Sequence, residues 1–521
     1  MSNKKMLSLL LKIIWVAQLL VELLTFGVIL RLNLLPVLYV IILAVLFALV
    51  WVLPGVLLFQ KKRKGKNARQ ITALVLVTVI ILGCAGVAGM ASQFGQTMNN
   101  VTGKTEITTL MTVFVRADDP AQEIEDAAGY TFATLKNIGE DKTRKAVSTL
   151  QNLVGNSLTT VEYALTTEMA DALYFGEVDA ILLSSAYAGT LEDVDGYRDF
   201  GSKTRALYEV TIVEEADAPA NEGYLSDPLT TRPVIGENKV DAPATNQKGE
   251  EASVVNTPFL VYLSGNDTRS TTLVTSRSDV NIIAVVNPVT KQILLLNTPR
   301  DYYIPHPNSP DGSRDKLTHL GNDGITCSVR GLEALYNERI DFYAQINFTG
   351  FETLIDAIGG ITVYFDTAFT AREETYIYVG ENYLDGHAAL NVARERFTLQ
   401  GGDNARGQNQ MKIIKAVVHK MVSGAIISNY ADIMRSLEGM FVTDISMDDI
   451  SKLVKMQLED LASWNIQSYA VTGDGGEDYT YTAGLAYVMY PHQGMVDYGK
   501  ELIERVIAGE ILTEQDVVYP G

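Results

Sequence analysis

The chain has 521 residues, of which 47% are apolar and 20% charged, enough for two or three domains of roughly 150 residues each. Its 62 acidic residues outnumber 42 Lys and Arg, for a net charge of −20. That balance excludes a general nucleic-acid binder, which needs a basic face, so no nucleic-acid partner is expected and any anionic ligand must be held by a local cluster of cations.

Three apolar runs open the chain, at 7–30, 34–59 and 71–90. Each reaches the ~20 residues that cross a hydrocarbon core of about 30 Å. Gln18 and Glu22 interrupt the first run and must face another helix, while Cys84 in the third reads as a small apolar residue. No small-residue cleavage site follows the first run and more spans come after it, so residues 1–95 read as an anchor rather than a cleaved signal. Lys4 and Lys5 precede the first span, and Arg31 is the one basic residue between the first two. Lys61, Lys62, Arg63, Lys64, Lys66 and Arg69 separate the second and third. The positive-inside rule then predicts a multi-pass protein of the cell membrane, with a cytoplasmic amino terminus and everything after about residue 92 extracellular.

Residues 106–214 alternate a β-rich run (108–115), a helical run (142–154) and a strand-like run (177–184). They predict a smaller α/β accessory domain with no constellation that points to chemistry. From 215 to 255 the chain is rich in Ala, Pro, Asn, Glu, Asp and Gly, and reads as a linker or mobile loop because it cannot bury enough apolar surface to offset chain entropy.

The third unit, 256–512, opens with an apolar strand at 259–263 that runs into a polar loop. Strand-like runs at 281–286 and 292–296 flank Asn287-Pro288-Val289-Thr290, a hairpin signal. Helices are expected at 324–336, 350–358, 386–393 and 404–422, and strands at 342–346 and 361–365. Ser446 and Asp449 form a capping box for a helix running to 461. Such alternation predicts an α/β sandwich around a central mixed sheet. Cys327 stands alone in the soluble part and reads as a buried small residue.

Among the charged residues, Asp267 and Asp279 lie in the polar loops that bracket the first hairpin. Two converging carboxylates can hold Mg²⁺ beside a phosphate. From spacing alone, two loop aspartates satisfying turn amides explain them at least as well. Arg300 follows a buried strand and Pro299, at the kind of strand end where α/β sheets form ligand sites. Arg394 and Arg396 flank Glu395 and point the same way if the chain is extended there. Arg406 and Gln410 are four apart on one helix face, near a helix start whose amides and dipole favour phosphate. Any one of these arginines fits a surface salt bridge; the set points to a pyrophosphate. Guanidinium forks match phosphate oxygens in pairs, stay charged at any relevant pH, and stabilise the charge that builds during phosphoryl transfer. Other chemistries find little support. The five histidines show no zinc-type spacing, Gly103-Lys104-Thr105 lacks the earlier glycine of a phosphate-binding loop, and no Gly-x-Ser-x-Gly elbow occurs.

Residues 258–422 resemble the LytR-CpsA-Psr family of bacterial cell-wall enzymes, in its capsule-linked branch. The matching pieces are Asp267-Thr268-Arg269-Ser270, Arg277-Ser278-Asp279, Asn297-Thr298-Pro299-Arg300-Asp301, Asp315-Lys316-Leu317 and Ile340-Asp341-Phe342-Tyr343. Further on come Ala357-Ile358-Gly359-Gly360-Ile361, Leu384-Asp385-Gly386, Arg394-Glu395-Arg396, and Arg406 with Gln408 and Gln410. The resemblance implies transfer of a glycopolymer, capsular polysaccharide or teichoic acid, from a polyprenyl-pyrophosphate carrier to a muramic acid hydroxyl of peptidoglycan, forming a phosphodiester. It implies that Asp267 and Asp279 hold Mg²⁺, or Mn²⁺ in its place. Arg277, Arg300, Arg394, Arg396, Arg406 and Gln410 would contact the pyrophosphate, with Arg269, Asp301, Lys316 and Gln408 also on the substrate. Asp267 is a candidate acceptor for the hydroxyl proton, and the lipid tail would lie in an apolar slot.

One departure is Asn409, where many members carry arginine; another is Met411, where they carry glutamine. The alternative is a non-catalytic envelope regulator or lipid-pyrophosphate sensor, and hydrolysis of the lipid pyrophosphate is a third reading. Arg300→Ala is expected to abolish transfer with the fold intact, on the premise that Arg300 is an exposed ligand residue.

Overall fold

The computed structural model describes residues 3–59, 67–102, 106–136, 138–155, 157–215, 251–421 and 430–521. The basic run 61–66 and most of the 215–255 stretch lie outside them. The anchor consists of α1 (Asn3–Arg31), α2 (Val37–Phe59) and α3 (Asn67–Val101). Their stretches Leu9–Leu32, Val37–Leu58 and Ile71–Gln93, of mean hydropathy 2.3, 2.9 and 2.6, are long and apolar enough to anchor the chain in a membrane. The polar pair of α1 turns inward: Gln18 Nε2 donates to Glu22 Oε1 at 2.7 Å and to the Val50 carbonyl on α2 at 3.2 Å. Polar groups at such depth need each other, since lipid offers no partner.

The next unit comprises β1 (Glu106–Arg116), β2 (Thr131–Leu135), α4 (Glu140–Val154), β3 (Thr159–Tyr163), α5 (Thr166–Phe175), β4 (Ala180–Ser184), α6 (Ser185–Leu191) and β5 (Thr204–Glu215). Its five strands form one sheet in the order β3-β2-β4-β1-β5. Period-two alternation sends Val113, Phe132 and Leu182 to one face, against Ala146 and Leu150 of α4. Ala133, Ile181 and Leu183 face the other way, against Met169 and Leu173 of α5.

The larger unit is built on β6 (Phe259–Asn266), β7 (Ser278–Asn287), β8 (Gln292–Asn297), β9 (Phe342–Asn347), β10 (Phe441–Thr443) and β11 (Asn465–Ala470). They form a mixed sheet in the order β10-β9-β6-β7-β8-β11, parallel at β9/β6 and β8/β11 and antiparallel elsewhere. Its longer helices are α7 (Ile325–Tyr336), α8 (Phe348–Ala357), α9 (Gly386–Arg394), α10 (Gly402–Met421), α11 (Met447–Asp460) and α12 (Gln493–Ile507). Leu260, Tyr262, Ile283, Val285, Leu294 and Leu296 project to one side and pack under α7 and α12. Phe259, Val261, Ile282, Ala284, Ile293 and Leu295 project to the other, under α10 and α11. Two apolar faces on each strand require a helical layer on each side, and the result is the α/β sandwich that the alternation predicts. Ser446 caps α11, accepting from Asp449 N at 3.1 Å and donating to Asp449 Oδ2 at 2.9 Å.

Candidate active site

β6 and β8 end, and β7 begins, at the same edge of the larger sheet, so the loops there converge. Asp267 follows β6 directly, Arg277 precedes β7, Asp279 is its second residue and Arg300 follows β8. The loops are pinned by hydrogen bonds. Asn266 Nδ2 donates to Val274 O at 2.7 Å and its Oδ1 accepts from Thr268 N at 3.0 Å, which fixes the turn carrying Asp267. Buried Tyr262 bonds Ser278 Oγ at 2.8 Å and Asn281 Oδ1 at 2.7 Å, which fixes the strand start carrying Asp279.

Arg277 Nε donates to Asp267 Oδ2 at 2.8 Å, and Ser276 Oγ donates to Asp267 Oδ1. Arg300 Nη1 donates to Asp279 Oδ1 at 2.8 Å, joined there by Thr318 Oγ1 at 3.3 Å. Burial pushes the Asp279 carboxyl up, but Arg300, Arg277 and Arg406 outweigh it and hold the group well below the usual range. Asp267 moves the other way: burial and the neighbouring Asp279 charge raise it against the pull of Arg277. The two carboxylates therefore share one electrostatic site.

α9 and α10 supply the rest. α9 ends at Arg394, and extended Glu395 turns away so that its Oε1 accepts from Phe397 N at 2.7 Å and Thr398 N at 2.9 Å. Arg394 and Arg396 are left on the cavity side, as the alternation predicts. On α10, Arg406, Gln410, Ile413, Ile414, Val417 and Val418 all line the same cavity. This is a single helical stripe, polar at its start and aliphatic after it. Gln410 Nε2 donates to Ala393 O at 2.9 Å and ties α10 to the end of α9.

The cavity has a volume of about 470 Å³. One end carries Arg277, Arg300, Arg372, Arg394, Arg396 and Arg406 against Asp193, Asp267 and Asp279, six cations to three anions in a chain that is otherwise strongly acidic. Burial, then the nearby charges of Arg372 and Arg269, push the Arg394 guanidinium down against the pull of Asp279 and Asp267. The rest of the lining is an apolar slot of residues such as Leu263, Phe351, Leu354, Ile413 and Val417, and the Phe348 ring lies 4.6 Å from the Arg394 guanidinium.

Several sequence-based expectations sit elsewhere. Arg269 and Gln408 are exposed and do not line the cavity, although the Arg269 charge reaches Arg394. Asp301 and Lys316 are buried behind Arg300, with Asp301 Oδ2 3.7 Å from Arg300 Nε and Lys316 Nζ 3.6 Å from Asp301 Oδ1. Asn409 and Met411 are buried off the cavity, so these departures from the family pattern do not touch its wall. The premise that Arg300 is exposed needs correction: it is 8% exposed and paired with Asp279, and its removal strands a buried carboxylate.

Two site residues escaped the sequence reading. Arg372 sits in a Glu-rich turn, Arg372-Glu373-Glu374, that looks like ordinary surface. Asp193 belongs to the accessory unit, which showed no sign of chemistry by sequence. Its Oδ2 lies 2.6 Å from Arg277 Nη1 and 3.9 Å from Arg300 Nη2. α6 carries it there, docked through Asn322 Nδ2 donating to Thr190 Oγ1 at 2.8 Å and through Tyr187 donating to Asp323.

As to metals, Asp267 and Asp279 offer hard oxygen donors whose mutual repulsion a divalent cation would relieve, and both face the cavity. The donor set fits Mg²⁺. His306, Asp323 and Cys327 also bring ligand atoms within 4.8 Å of one another. There, however, His306 Nδ1 accepts from Asn308 N at 3.2 Å, which leaves the proton on Nε2, facing Asp323 at 3.6 Å. Burial also pushes the Cys327 thiol well up, which disfavours the thiolate that a metal would need.

The fold is an α/β sandwich whose guanidinium-lined pocket opens into an apolar slot. The LytR_cpsA_psr family pattern matches residues 231–503, more than half of the chain, and the chain belongs to that family. An Enterococcus faecalis protein named polyisoprenyl-teichoic acid–peptidoglycan teichoic acid transferase TagU is 36% identical over 199 residues, covering 38% of this chain and 64% of its own. An Oceanobacillus iheyensis protein of the same name is 32% identical over 216 residues, covering 40% of this chain and 64% of its own. The chain thus spans a little under two thirds of either relative. The crystal structure of TagV from B. subtilis overlaps 49% of this chain and 99% of its own, at 23% identity and a TM-score of 0.42.

Proposed function

We propose that this protein is an Mg²⁺-dependent phosphotransferase that moves a glycopolymer, teichoic acid or capsular polysaccharide, from a polyprenyl-pyrophosphate carrier to peptidoglycan. The observation that supports it most is the union, in one cavity, of an arginine excess with an apolar slot. That union matches a diphosphate joined to a hydrocarbon. The named relatives supply the donor and acceptor classes.

In this reading Arg394, Arg396 and Arg406 grip the diphosphate oxygens while the prenyl chain lies along the aliphatic stripe of α10. A peptidoglycan hydroxyl attacks the phosphorus on the glycan side, its new P–O bond replacing the bond to the lipid phosphate. Polyprenyl phosphate leaves, and the hydroxyl proton passes to a carboxylate. Asp267 is a candidate for that role because it faces the cavity beside the pyrophosphate-binding arginines. Arg277 and Arg300, locked by their aspartates, present fixed positive charge to the leaving oxygen without reorganising. Asp267 and Asp279 would hold Mg²⁺, which when bound supplies further neutralisation of phosphate oxygens.

The anchor supports one orientation. Leu32 and Leu34, between α1 and α2, pack on the larger unit, at the ends of α2 and α3 far from Phe59 and Asn67. With the basic run between Phe59 and Asn67 cytoplasmic, the active unit is extracellular, where its membrane lipid and peptidoglycan partners are.

The experiment is incubation of the full chain, in lipid nanodiscs, with a polyprenyl-pyrophosphate glycan, Mg²⁺ and a peptidoglycan oligomer, with products read by mass spectrometry. A glycan–peptidoglycan phosphodiester is the expected product. Bound but unchanged lipid would make the protein a sensor, and free phosphorylated glycan a hydrolase.

A further inference from the structure

The apolar space does not stop at the slot. A second cavity, of about 660 Å³, lies between the membrane anchor and the α10/α11 side of the six-stranded sheet. Leu263 on β6 and Val418 on α10 line both cavities, so the two adjoin across those side chains. The far wall belongs to the anchor: Leu32 and Leu35 between α1 and α2, and Met90 and Ala91 on α3. Met90 and Ala91 fall in the last turns of the span Ile71–Gln93, so the cavity reaches down to the bilayer surface.

Its chemistry selects one kind of occupant. Gln457 is the single polar residue of the lining among the described residues, and its amide is already used: Oε1 accepts from Trp464 Nε1 at 2.8 Å and Nε2 donates to Ala462 O at 3.1 Å. A water there would find none of the two to four polar partners it needs. The volume lies within the range of roughly 300–1,000 Å³ typical of ligand sites. The anchor is also fastened at this spot, by Lys455 Nζ donating to Asn33 Oδ1 and by a parallel bridge between Thr102 and Thr443.

We infer that this second cavity is the passage for the distal isoprene units of the carrier lipid, and that the ends of the protein's own spans form part of the lipid-binding site. The inference rests on the lipid-pyrophosphate reading and adds the anchor to it. The lipid runs from the bilayer, past Met90 and Leu32, across Leu263 and Val418 into the slot, and delivers its diphosphate to the arginines with no isoprene crossing water. The anchor is then a substrate channel as well as a tether.

The test uses the full chain in nanodiscs and a long-chain polyprenyl pyrophosphate carrying a diazirine on its terminal isoprene. Photolabelling should map to the segments holding Leu32 and Met90. Ala91→Trp and Val454→Trp, which fill the passage from the anchor and from α11 and leave the slot untouched, should each abolish that labelling while sparing binding of geranyl pyrophosphate, too short to reach it. Labelling confined to the slot near Phe351 and Leu354, or unchanged in both variants, overturns the inference. Transfer to peptidoglycan is scored in the same nanodiscs. Labelled Met90 without transfer upholds the passage and sinks the transferase reading; transfer with labelling confined to the slot does the reverse.

Discussion

Asp193 Oδ2 sits 2.6 Å from Arg277 Nη1, an ion pair that joins the accessory unit to the floor of the active site. The Gly189 carbonyl accepts from the same nitrogen at 3.0 Å, so α6 grips one side of the guanidinium while Asp267 grips the other. Asp193→Ala removes one side of this clamp. The pair is only partly buried, with side chains 28% and 18% exposed, and its loss is expected to cost roughly 1–3 kcal/mol, below the range of a fully buried pair. Turnover should drop about tenfold, or ~1.4 kcal/mol in the barrier, as Arg277 loses its fixed orientation. Thermal unfolding and steady-state kinetics read the two effects. Wild-type values for both would show that Asp267 alone holds Arg277.

Arg300 and Arg396 should separate stability from chemistry. Arg300 is buried on Asp279, and Arg300→Ala should destabilise the fold by about 3–5 kcal/mol by stranding that carboxylate. Arg396 is half-buried and leans on the ring of Phe397. Arg396→Ala should leave the melting temperature nearly unchanged, yet lower turnover about a hundredfold, or ~2.7 kcal/mol of transition-state stabilisation. Equal loss of fold in both variants would contradict this division.

Gly321 touches the backbone that carries Arg277. A Cβ there would lie 2.7 Å from Ser276 O and 2.7 Å from Ser278 N, closer than van der Waals contact and against atoms that cannot swing aside. Gly321→Ala should displace the segment 276–278 and lower both stability and turnover, by about 1–3 kcal/mol in the first. Circular dichroism melts and the transfer assay check it; a silent substitution would mean that the contact is easily relieved.

Glu333 gives a pH dependence remote from the active site. It is buried, accepts from Ile340 N at 2.9 Å, and burial lifts its carboxyl to about 7. A carboxyl raised on folding binds its proton more tightly in the folded state. Its stabilising contribution is therefore complete below the unfolded value near 4.5 and is lost as pH climbs to about 7. The loss is on the order of 3 kcal/mol. Glu333→Gln cannot ionise, so its melting temperature relative to wild type should rise between pH 4.5 and 7. Parallel melting curves across that window would show that Glu333 titrates normally.

The sequence made some of this site legible for physical reasons. Arg406 and Gln410 share a face because a helix repeats every 3.6 residues, and the same period carries the stripe on through Ile413 and Val417. Arg300 was readable because strand ends bring loops together. Asp193 was not readable: it lies among Glu192 and Asp195 after a short helix, a pattern indistinguishable from solvated surface until α6 docks on the larger unit. Arg372 was hidden in the same way by Glu373 and Glu374. Asp301 and Lys316, which the family motif placed on the substrate, pack behind Arg300 in this structure, an arrangement that only the tertiary fold reveals. Periodicity locates residues on an element; only tertiary contact decides which loops meet.

In the proposed reading, guanidinium groups from separate loops and helices jointly bind one lipid-linked diphosphate. This joint binding is tested most directly by the affinity of the full chain in nanodiscs for a polyprenyl pyrophosphate, compared between wild type and the Arg394→Ala/Arg396→Ala double variant. Loss of two charge-assisted contacts should weaken binding about a hundredfold or more. Equal affinity in the two proteins would mean that Arg394 and Arg396 do not hold the diphosphate.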